Sequence, residues 1–166
     1  MRNIRANDVL TPRRVLLTFQ QDKTIAEIVQ NHSPLQFSRI PIYDKDLDDI
    51  TGFVLKYQIS QEYSDGHGHL LLKDICKELH AVPDTADIAN ILNEFIKRKE
   101  HIFLVVDEYG GTAGIITMED AVETLLGVEI VDEMDSVADM RKYAKKLWER
   151  RQSNYLASKP QTEPET

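Results

Sequence analysis

The chain has 166 residues, of which 42% are hydrophobic and 29% are charged, and its formal net charge is −8. This composition is typical of a globular protein. The negative charge argues against nucleic acid as a partner, because a protein that binds DNA or RNA needs a basic face. No apolar run approaches the about 20 residues that span a bilayer, and the first residues, MRNIR, do not begin a signal peptide. The single cysteine, Cys76, excludes an internal disulfide and favours a reducing compartment.

The sequence contains an internal repeat. The stretch IPIYDKDLDDITGFVLKYQIS resembles FLVVDEYGGTAGIITMEDAVE, so that Asp44 aligns with Asp107 and Gly52 with Gly114. Further upstream, three apolar residues at helical spacing recur at one offset: Ile25, Ile28 and Val29 match Ile88, Ile91 and Leu92. Each repeat therefore predicts a β segment, an amphipathic helix, a strand, a tight connection, a strand and a helix.

In the first repeat, the predicted elements in chain order are Val15–Phe19, Ile25–Asn31, Ile40–Tyr43, Ile50–Leu55 and Tyr57–Tyr63. In the second they are Leu79–Val82, Ala86–Lys99, Ile102–Val106, Ala113–Thr117 and Met118–Leu126. Thr24 and Glu27 have the spacing of a capping box at the start of the first long helix.

The pattern changes after Gly127. An acidic stretch, VEIVDEMD, precedes a predicted amphipathic helix over residues 136–155, and the final residues have the composition of a disordered tail. The predicted domain ranges are 4–64 for the first repeat, 65–71 for a polar linker, 72–128 for the second repeat, 129–157 for the acidic segment and C-terminal helix, and 158–166 for the tail.

The most informative stretch is VVDEYGGTAGIITMED, residues 105–120. Its glycines match neither of the common phosphate loops, and they favour a turn between two strands. Thr117 and Asp120 have the spacing of a capping box at a strand-to-helix junction. The same junction is also an anion site, where a hydroxyl can donate to a phosphate and a carboxylate can accept from a ribose diol. From the residues alone, both interpretations stay open.

Two repeats that each end in this strand-to-helix step resemble a tandem pair of CBS domains, a Bateman module. The stretches LTPRRVLL, FSRIPIYDKDLDDITGFV and HIFLVVDEYGGTAGIITMEDAVETLLG resemble the CBS pair of the cyclin-M/CorC family. These hemolysin-like membrane proteins are associated with magnesium and cobalt transport. The resemblance implies an α/β fold of two tandem β-α-β-β-α repeats packed as a pseudo-two-fold pair, with an added C-terminal helix.

The resemblance also implies one adenine-nucleotide site. Thr117 is expected to contact phosphate and Asp120 the ribose, with Arg39 the basic side chain nearest to the phosphates. The residues expected to line the base are Thr11, Leu17, Ser38, Arg39, Ile40 and Pro41, with Ile115 and Ile116 beneath. The resemblance implies a second, equivalent cleft, in which Leu55 and Gln58 of the first repeat occupy the positions of Thr117 and Asp120. Because neither residue supplies the same chemistry, one site per chain is predicted.

The implied function is regulation. The chain would bind AMP, ADP or ATP, with or without Mg²⁺, and control an N-terminal transmembrane domain from the cytoplasmic face of the membrane. A homodimer through the helices is expected. The alternative is a dimerising scaffold with a vestigial pocket. No catalytic motif is visible, so no enzyme is predicted, and neither the acidic residues 129–135 nor His67 and His69 form a recognisable metal site.

Overall fold

From Phe19 to Glu133, strands and α-helices follow one another in the order that the repeat predicts, whereas the short helix and strand before residue 13 were not predicted. A computed structural model describes residues 3–133 and 144–152. The strands are β1 (Thr11–Pro12), β2 (Phe19–Gln20), β3 (Arg39–Tyr43), β4 (Ile50–Leu55), β5 (Ala81–Pro83), β6 (Ile102–Val106) and β7 (Thr112–Thr117). The helices are α1 (Ala6–Val9), α2 (Ile25–His32), α3 (Lys56–Ser64), α4 (Ile88–Arg98), α5 (Met118–Glu133) and a helix over residues 144–152, here α6. The predicted α/β class is confirmed.

The chain divides into two compact units, and each has its own sheet. The described part of unit 1 comprises residues 3–14, 80–133 and 144–152, and unit 2 comprises residues 15–79. In unit 1 the strand order is β1-β7-β6-β5, and in unit 2 it is β2-β3-β4. The hairpin of each repeat is antiparallel (β6 with β7, β3 with β4), and the strand before the long helix pairs in parallel with the first strand of the hairpin.

The membership of the units differs from the predicted repeat ranges. Residues 3–14, which the sequence assigned to the first repeat, belong to unit 1, where Thr11 lies opposite Ile115 in an antiparallel bridge. Conversely, Lys77 pairs with Phe53 and belongs to unit 2, although the sequence assigned it to the second repeat. Each sheet edge is therefore completed by the segment that precedes the other repeat, an exchange that repeat alignment does not reveal.

Each unit has an apolar core beneath its sheet. In unit 1 the rings of Phe95 on α4 and Phe103 on β6 stack with their centroids 3.9 Å apart. Ile88 and Ile91 of α4 are buried in the same core. In unit 2 the equivalent helical positions, Ile25 and Ile28 of α2, are fully buried. The helical spacing seen in the sequence thus marks the faces that pack on the sheets.

Hydrogen bonds from nearby side chains cap the N-termini of α2 and α4. Thr24 Oγ1 accepts the backbone N–H of Glu27 at 3.1 Å, which confirms the Thr24 half of the predicted capping box at α2. At α4, the Asp87 carboxylate accepts the N–H of Ala89 at 2.8 Å. A helix cap of this kind is worth about 0.5–2 kcal/mol.

Several predicted boundaries were wrong. Instead of a strand over Val15–Phe19, the chain forms a 3-10 helix at Arg13–Val15 and a strand only at Phe19–Gln20. The helix predicted over Met118–Leu126 is longer, because α5 continues to Glu133. Of the predicted helix over 136–155, residues 144–152 are helical and the rest lie outside the described residues, as does the tail 158–166. Within the described ranges, no helix is long and apolar enough to cross a membrane.

Candidate functional site

The junction between β7 and α5 is the first part of the candidate site. Thr117 is the last residue of β7, and its Oγ1 accepts the backbone N–H of Asp120 at 3.2 Å. The backbone N–H of Met118, the first residue of α5, donates to the His101 carbonyl oxygen at 3.0 Å. The predicted helix cap is therefore present, and it holds the Thr117 hydroxyl beside the positive end of the α5 dipole.

The Asp120 side chain lies one turn into the same end of α5. Burial raises the pKa of its carboxyl group, while a hydrogen bond with Thr117 and the charge of Arg151 act in the opposite direction. A carboxylate that is half-buried is a stronger hydrogen-bond acceptor for a ligand hydroxyl than one in open water, because less solvent competes. The group can therefore serve the ribose role that the sequence predicts.

The turn before β7 is built around Asp107. Its carboxylate accepts the backbone N–H groups of Tyr109 and Gly111, both at 2.9 Å. Gly110 has a φ of 81°, the left-handed conformation that glycine adopts without strain. The prediction of a glycine turn between two strands is confirmed for Gly110.

Gly114 allows a close approach of Thr11 to β7. A Cβ at this glycine would overlap the Thr11 carbonyl oxygen, so no other residue fits there without displacing β1. The pairing sets Thr11 opposite Ile115, two residues before Thr117. The structure thus brings Thr11, Ile115 and Thr117 together in unit 1, within one strand pair that leads to Asp120.

The side chain of Ile116 points the other way. It is fully buried in the core of unit 1, packed with residues such as Phe103 and Ala121. Neighbouring side chains of a strand face opposite sides of the sheet. Only the backbone of Ile116 is therefore placed to take part in the predicted site.

The other predicted residues lie in unit 2. Ser38 is exposed and precedes β3, and its carbonyl oxygen accepts the N–H of Lys56 at 2.9 Å. Arg39 is half-buried and pairs with Leu55, while Ile40 is fully buried in the unit 2 core. The two remaining residues are Leu17, which packs on that core, and Pro41, which is buried in β3.

The equivalent junction in unit 2, between β4 and α3, has different chemistry. Leu55 occupies the N-cap of α3 and makes no capping bond with its side chain. Gln58 stands where Asp120 stands in unit 1 and carries no charge. The backbone geometry is repeated without the hydroxyl and the carboxylate, which is consistent with the predicted single site.

The remaining candidates do not assemble into a metal centre in the described part of the chain, where no group of three or more His, Cys, Asp or Glu side chains is suitably placed. His67 Nδ1 lies 2.6 Å from a Glu62 carboxylate oxygen, and the rings of His67 and His69 are 6.3 Å apart. The side chains of the acidic residues over 129–135 lie outside what the structure describes.

Sequence reasoning missed the contacts of four side chains near Asp120, which are Glu123, Thr124, Arg150 and Arg151. Thr124 Oγ1 donates to the Asp120 carbonyl oxygen at 2.7 Å and accepts a bond from Arg151 Nη2 at 3.0 Å. Arg150 Nη1 lies 2.7 Å from Glu123 Oε1. Thr124 could have been found by helical spacing, since it is one turn beyond Asp120, but the contacts of the two arginines join residues 27 apart and have no local signal.

Comparison with protein families and curated proteins gives consistent matches. Residues 72–127 match the family model "CBS domain". A UPF0053 protein of Synechocystis is 35% identical over 146 residues, which cover 88% of this chain and 42% of that protein. The magnesium and cobalt efflux protein CorC of Escherichia coli is 27% identical over 87% of this chain and 50% of its own length. The chain therefore spans half or less of these relatives.

Solved structures match a larger share of their own chains. The CBS domain of a bacterial CNNM/CorC family Mg²⁺ transporter in complex with ATP has a TM-score of 0.69 and 28% identity, covering 74% of this chain and 87% of that one. A CBS-domain pair with bound AMP from Klebsiella pneumoniae has a TM-score of 0.60 and 27% identity, covering 74% and 98%.

A hemolysin-like protein of Oenococcus oeni that contains a CBS domain has a TM-score of 0.66 and 30% identity, covering 73% of this chain and 89% of that one. Sequence relatives and structural neighbours thus agree with each other and with the two helix-and-sheet units described above. The chain belongs to the CBS-domain modules of the CNNM/CorC family.

Proposed function

We propose that this chain is a regulatory module that binds an adenine nucleotide in unit 1, at the N-terminal end of α5. The observation that carries the proposal is the junction at Thr117, where a hydroxyl, a helix N-terminus and the half-buried Asp120 carboxylate lie within one turn. The structural neighbours with ATP and AMP bound support the ligand class. AMP, ADP and ATP remain the candidate ligands.

The roles follow from the hydrogen-bonding capacity of each group. A threonine hydroxyl has one donor and two acceptor lone pairs. Thr117 uses an acceptor position for the Asp120 N–H, and its O–H bonds the Asp120 carboxylate. This O–H would turn from the carboxylate to donate to a phosphate oxygen. The Asp120 carboxylate can accept from both hydroxyls of a ribose diol, and such charge-assisted bonds are stronger than neutral ones.

The base side of the site is proposed from the family resemblance. Thr11, Leu17, Ser38, Arg39 and Pro41 keep the roles that the resemblance assigns to them. For Ile40, as for Ile116, burial of the side chain in a core leaves the backbone as the group available to a ligand. Substitution of Ser38 or Arg39 would test this assignment, because both lie outside the core clusters.

Mg²⁺ would enter such a site on the nucleotide. No carboxylate cage for the ion is present in the described part of the chain. Mg²⁺ keeps several water ligands and is usually held by substrate phosphates with one or two carboxylates. We therefore propose that Mg²⁺ enters with the nucleotide, held by its phosphates and by one or two carboxylates.

The regulated partner is proposed to be an N-terminal membrane domain linked to Mg²⁺ or Co²⁺ transport, with this module on the cytoplasmic face. Support comes from the named relatives, of which this chain spans half or less. A nucleotide can control such a domain only if it binds one conformation of the module more tightly than another.

A homodimer is also proposed. Tyr57 on α3, Ile96 on α4 and Leu126 on α5 are 71%, 59% and 52% exposed, which is a high value for large apolar side chains. Exposed apolar helix faces mark interaction surfaces, and a two-fold dimer is the commonest assembly. The same residues favour the second candidate function, an interaction scaffold whose pocket is vestigial.

No enzymatic role is proposed, and steady turnover of ATP by the purified protein would contradict this. The binding proposal is tested by calorimetric titration with AMP, ADP and ATP, with and without Mg²⁺, at millimolar concentrations. We expect about one site per chain. A bond to a charged group is worth roughly 1.5–3 kcal/mol, so Asp120→Ala should weaken binding by about 10- to 100-fold.

Gln58→Ala is the matched control, because Gln58 occupies the equivalent position in unit 2. It should change the affinity little. Equal losses from Asp120→Ala and Gln58→Ala would contradict a single site. Absence of binding of every nucleotide, together with an unchanged melting temperature, would favour the scaffold.

A further inference from the structure

The helix α6 lies against α5 through two arginines. Arg150 pairs with Glu123 across 2.7 Å, and the Arg151 guanidinium donates to the Thr124 hydroxyl at 3.0 Å. The Thr124 hydroxyl in turn donates to the Asp120 carbonyl oxygen at 2.7 Å. A continuous chain of contacts therefore runs from α6 to the residue that is proposed to hold the ribose.

The charges at this end of α5 explain why the contact matters for a ligand. Glu119, Asp120 and Glu123 place three carboxylates in the first two turns of the helix. A nucleotide adds phosphate charges of the same sign to this region. Arg150 and Arg151 are the cations that α6 brings to these turns, and the charge of Arg151 acts on the Asp120 carboxyl, where it opposes the rise in pKa that burial causes.

We propose that Arg150 and Arg151 fasten α6 to the nucleotide-binding end of α5, so that α6 docking and nucleotide binding strengthen each other. This inference rests on the proposed function and assigns α6 a part in it. Added phosphate charge favours the docked position of the two cations, and docked cations offset the repulsion between the carboxylates and the phosphates. By thermodynamic linkage, the two effects are equal in size.

The coupling depends on phosphate charge. Adenosine has no phosphate, so it should bind the ribose acceptor without adding negative charge that favours the docked position of the two arginines. ATP should show the largest effect, and AMP an intermediate one. Because the Arg150–Glu123 pair is partly exposed, with 62% and 32% of the two side chains accessible, the coupling should also weaken as salt screens the charges.

The chain carries its own probe of α6. Its single tryptophan, Trp148, lies on α6 and is 61% exposed. Quenching of Trp148 fluorescence by acrylamide in the full chain therefore reports how well α6 is held. We expect ATP to reduce this quenching in the wild type, and adenosine to leave it nearly unchanged.

The variants are Arg151→Gln and Arg150→Gln, with Lys146→Gln as the matched control. Lys146 is an exposed cation on the same helix, and its side chain makes no hydrogen bond within the described residues. In calorimetry, Arg151→Gln should weaken ATP binding by about 5-fold or more, the lower end of typical couplings. Its effect on adenosine should stay within about 2-fold, and Lys146→Gln should match the wild type for both ligands.

The outcomes separate this inference from the proposed function. If the wild type binds no nucleotide, the proposed function fails and the inference falls with it. If the wild type binds ATP but Arg151→Gln binds it equally well or more tightly, α6 is a bystander or a competitor, and only the inference is overturned. Unchanged quenching of Trp148 on saturation with ATP would overturn it as well. A normal melting temperature for each variant shows that the fold is retained.

Discussion

The backbone N–H of Asp120 donates to Thr117 Oγ1 at 3.2 Å, so that this hydroxyl caps α5. The proposed function gives the same atom a second role, as the phosphate contact. Both roles need the hydroxyl group rather than the shape of the side chain. Two substitutions, one that keeps the shape and one that keeps the hydroxyl, therefore distinguish the two effects.

Thr117→Val keeps the shape of the side chain but removes the hydroxyl. We expect a loss of about 0.5–2 kcal/mol in the free energy of unfolding, because the cap is lost, together with weaker binding of ATP and AMP. Thr117→Ser retains the hydroxyl and should preserve both properties. Chemical denaturation and calorimetry measure the two effects. Normal nucleotide binding by Thr117→Val would show that the hydroxyl is only a cap.

The Asp120 carboxyl group gives a pH dependence with a definite sign. Burial holds its pKa in the folded protein above the ordinary value of 3.8. The folded state therefore holds the proton more tightly than the unfolded state, and the stabilisation is largest below pH 3.8. It is lost as the pH rises through the folded pKa.

Asp120→Asn cannot ionise and should escape this loss. Its melting temperature relative to the wild type should therefore rise between pH 3.8 and neutrality, while its nucleotide affinity falls because the charge is gone. Thermal unfolding of both proteins over this pH range measures the difference. A relative melting temperature that falls with pH would mean that Arg151 outweighs burial.

Gly114 tests the edge of the unit 1 sheet. A Cβ there would overlap the Thr11 carbonyl oxygen, so Gly114→Ala must displace β1 or distort β7. Overpacking of this kind costs about 1–3 kcal/mol, which corresponds to a fall in melting temperature of about 2–4 °C per kcal/mol. Gly68→Ala is a milder control, since its new Cβ would meet the Ala26 Cβ at 3.1 Å. Similar losses from both would argue against the close approach.

Asp107 and its repeat counterpart Asp44 offer another matched pair. The Asp107 carboxylate accepts two backbone N–H groups at 2.9 Å, so Asp107→Ala should cost about 1–3 kcal/mol, from two hydrogen bonds of about 0.5–1.5 kcal/mol each. Asp44 is exposed, and its turn is joined instead through Asp49. Asp44→Ala should therefore lie within about 0.5 kcal/mol of the wild type. Denaturant titration of both variants decides whether the two turns are built differently.

Repetition in the sequence predicted much of the fold for a physical reason. Sequence patterns of apolar residues indicate which side chains are buried. Examples are the helical spacing of Ile88 and Ile91 and the continuous apolar run of β6, whose side chains are buried in the structure except at the last residue of β6. Thr117 and Asp120 were singled out because a cap and an anion site share one local pattern, and of the two the structure shows the cap. These signals all lie within a few neighbouring residues.

Long-range relationships were beyond the same reasoning. Pairing of Thr11 with Ile115 and contact of Arg151 with Thr124 depend on where the chain returns after many residues. The prediction of a strand over Val15–Phe19 was wrong for a related reason. Most of that stretch has no strand partner, and a short apolar run fits the pattern of a strand as well as that of a helix. The two ends of α5 were predicted with different success. The capped start was predicted, and the continuation to Glu133 was not.

The exchange of edge segments bears on the order in which the two units can form during synthesis. Residues 15–79 leave the ribosome as one uninterrupted stretch, so unit 2 has all its strands before β6 and β7 exist. Residues 3–14, although made before unit 2, must wait for Thr112–Thr117 before β1 has a partner. A nascent chain arrested between these two points would therefore carry all the strands of unit 2 and an unpaired segment before them, which is the state that proteases and chaperones would meet.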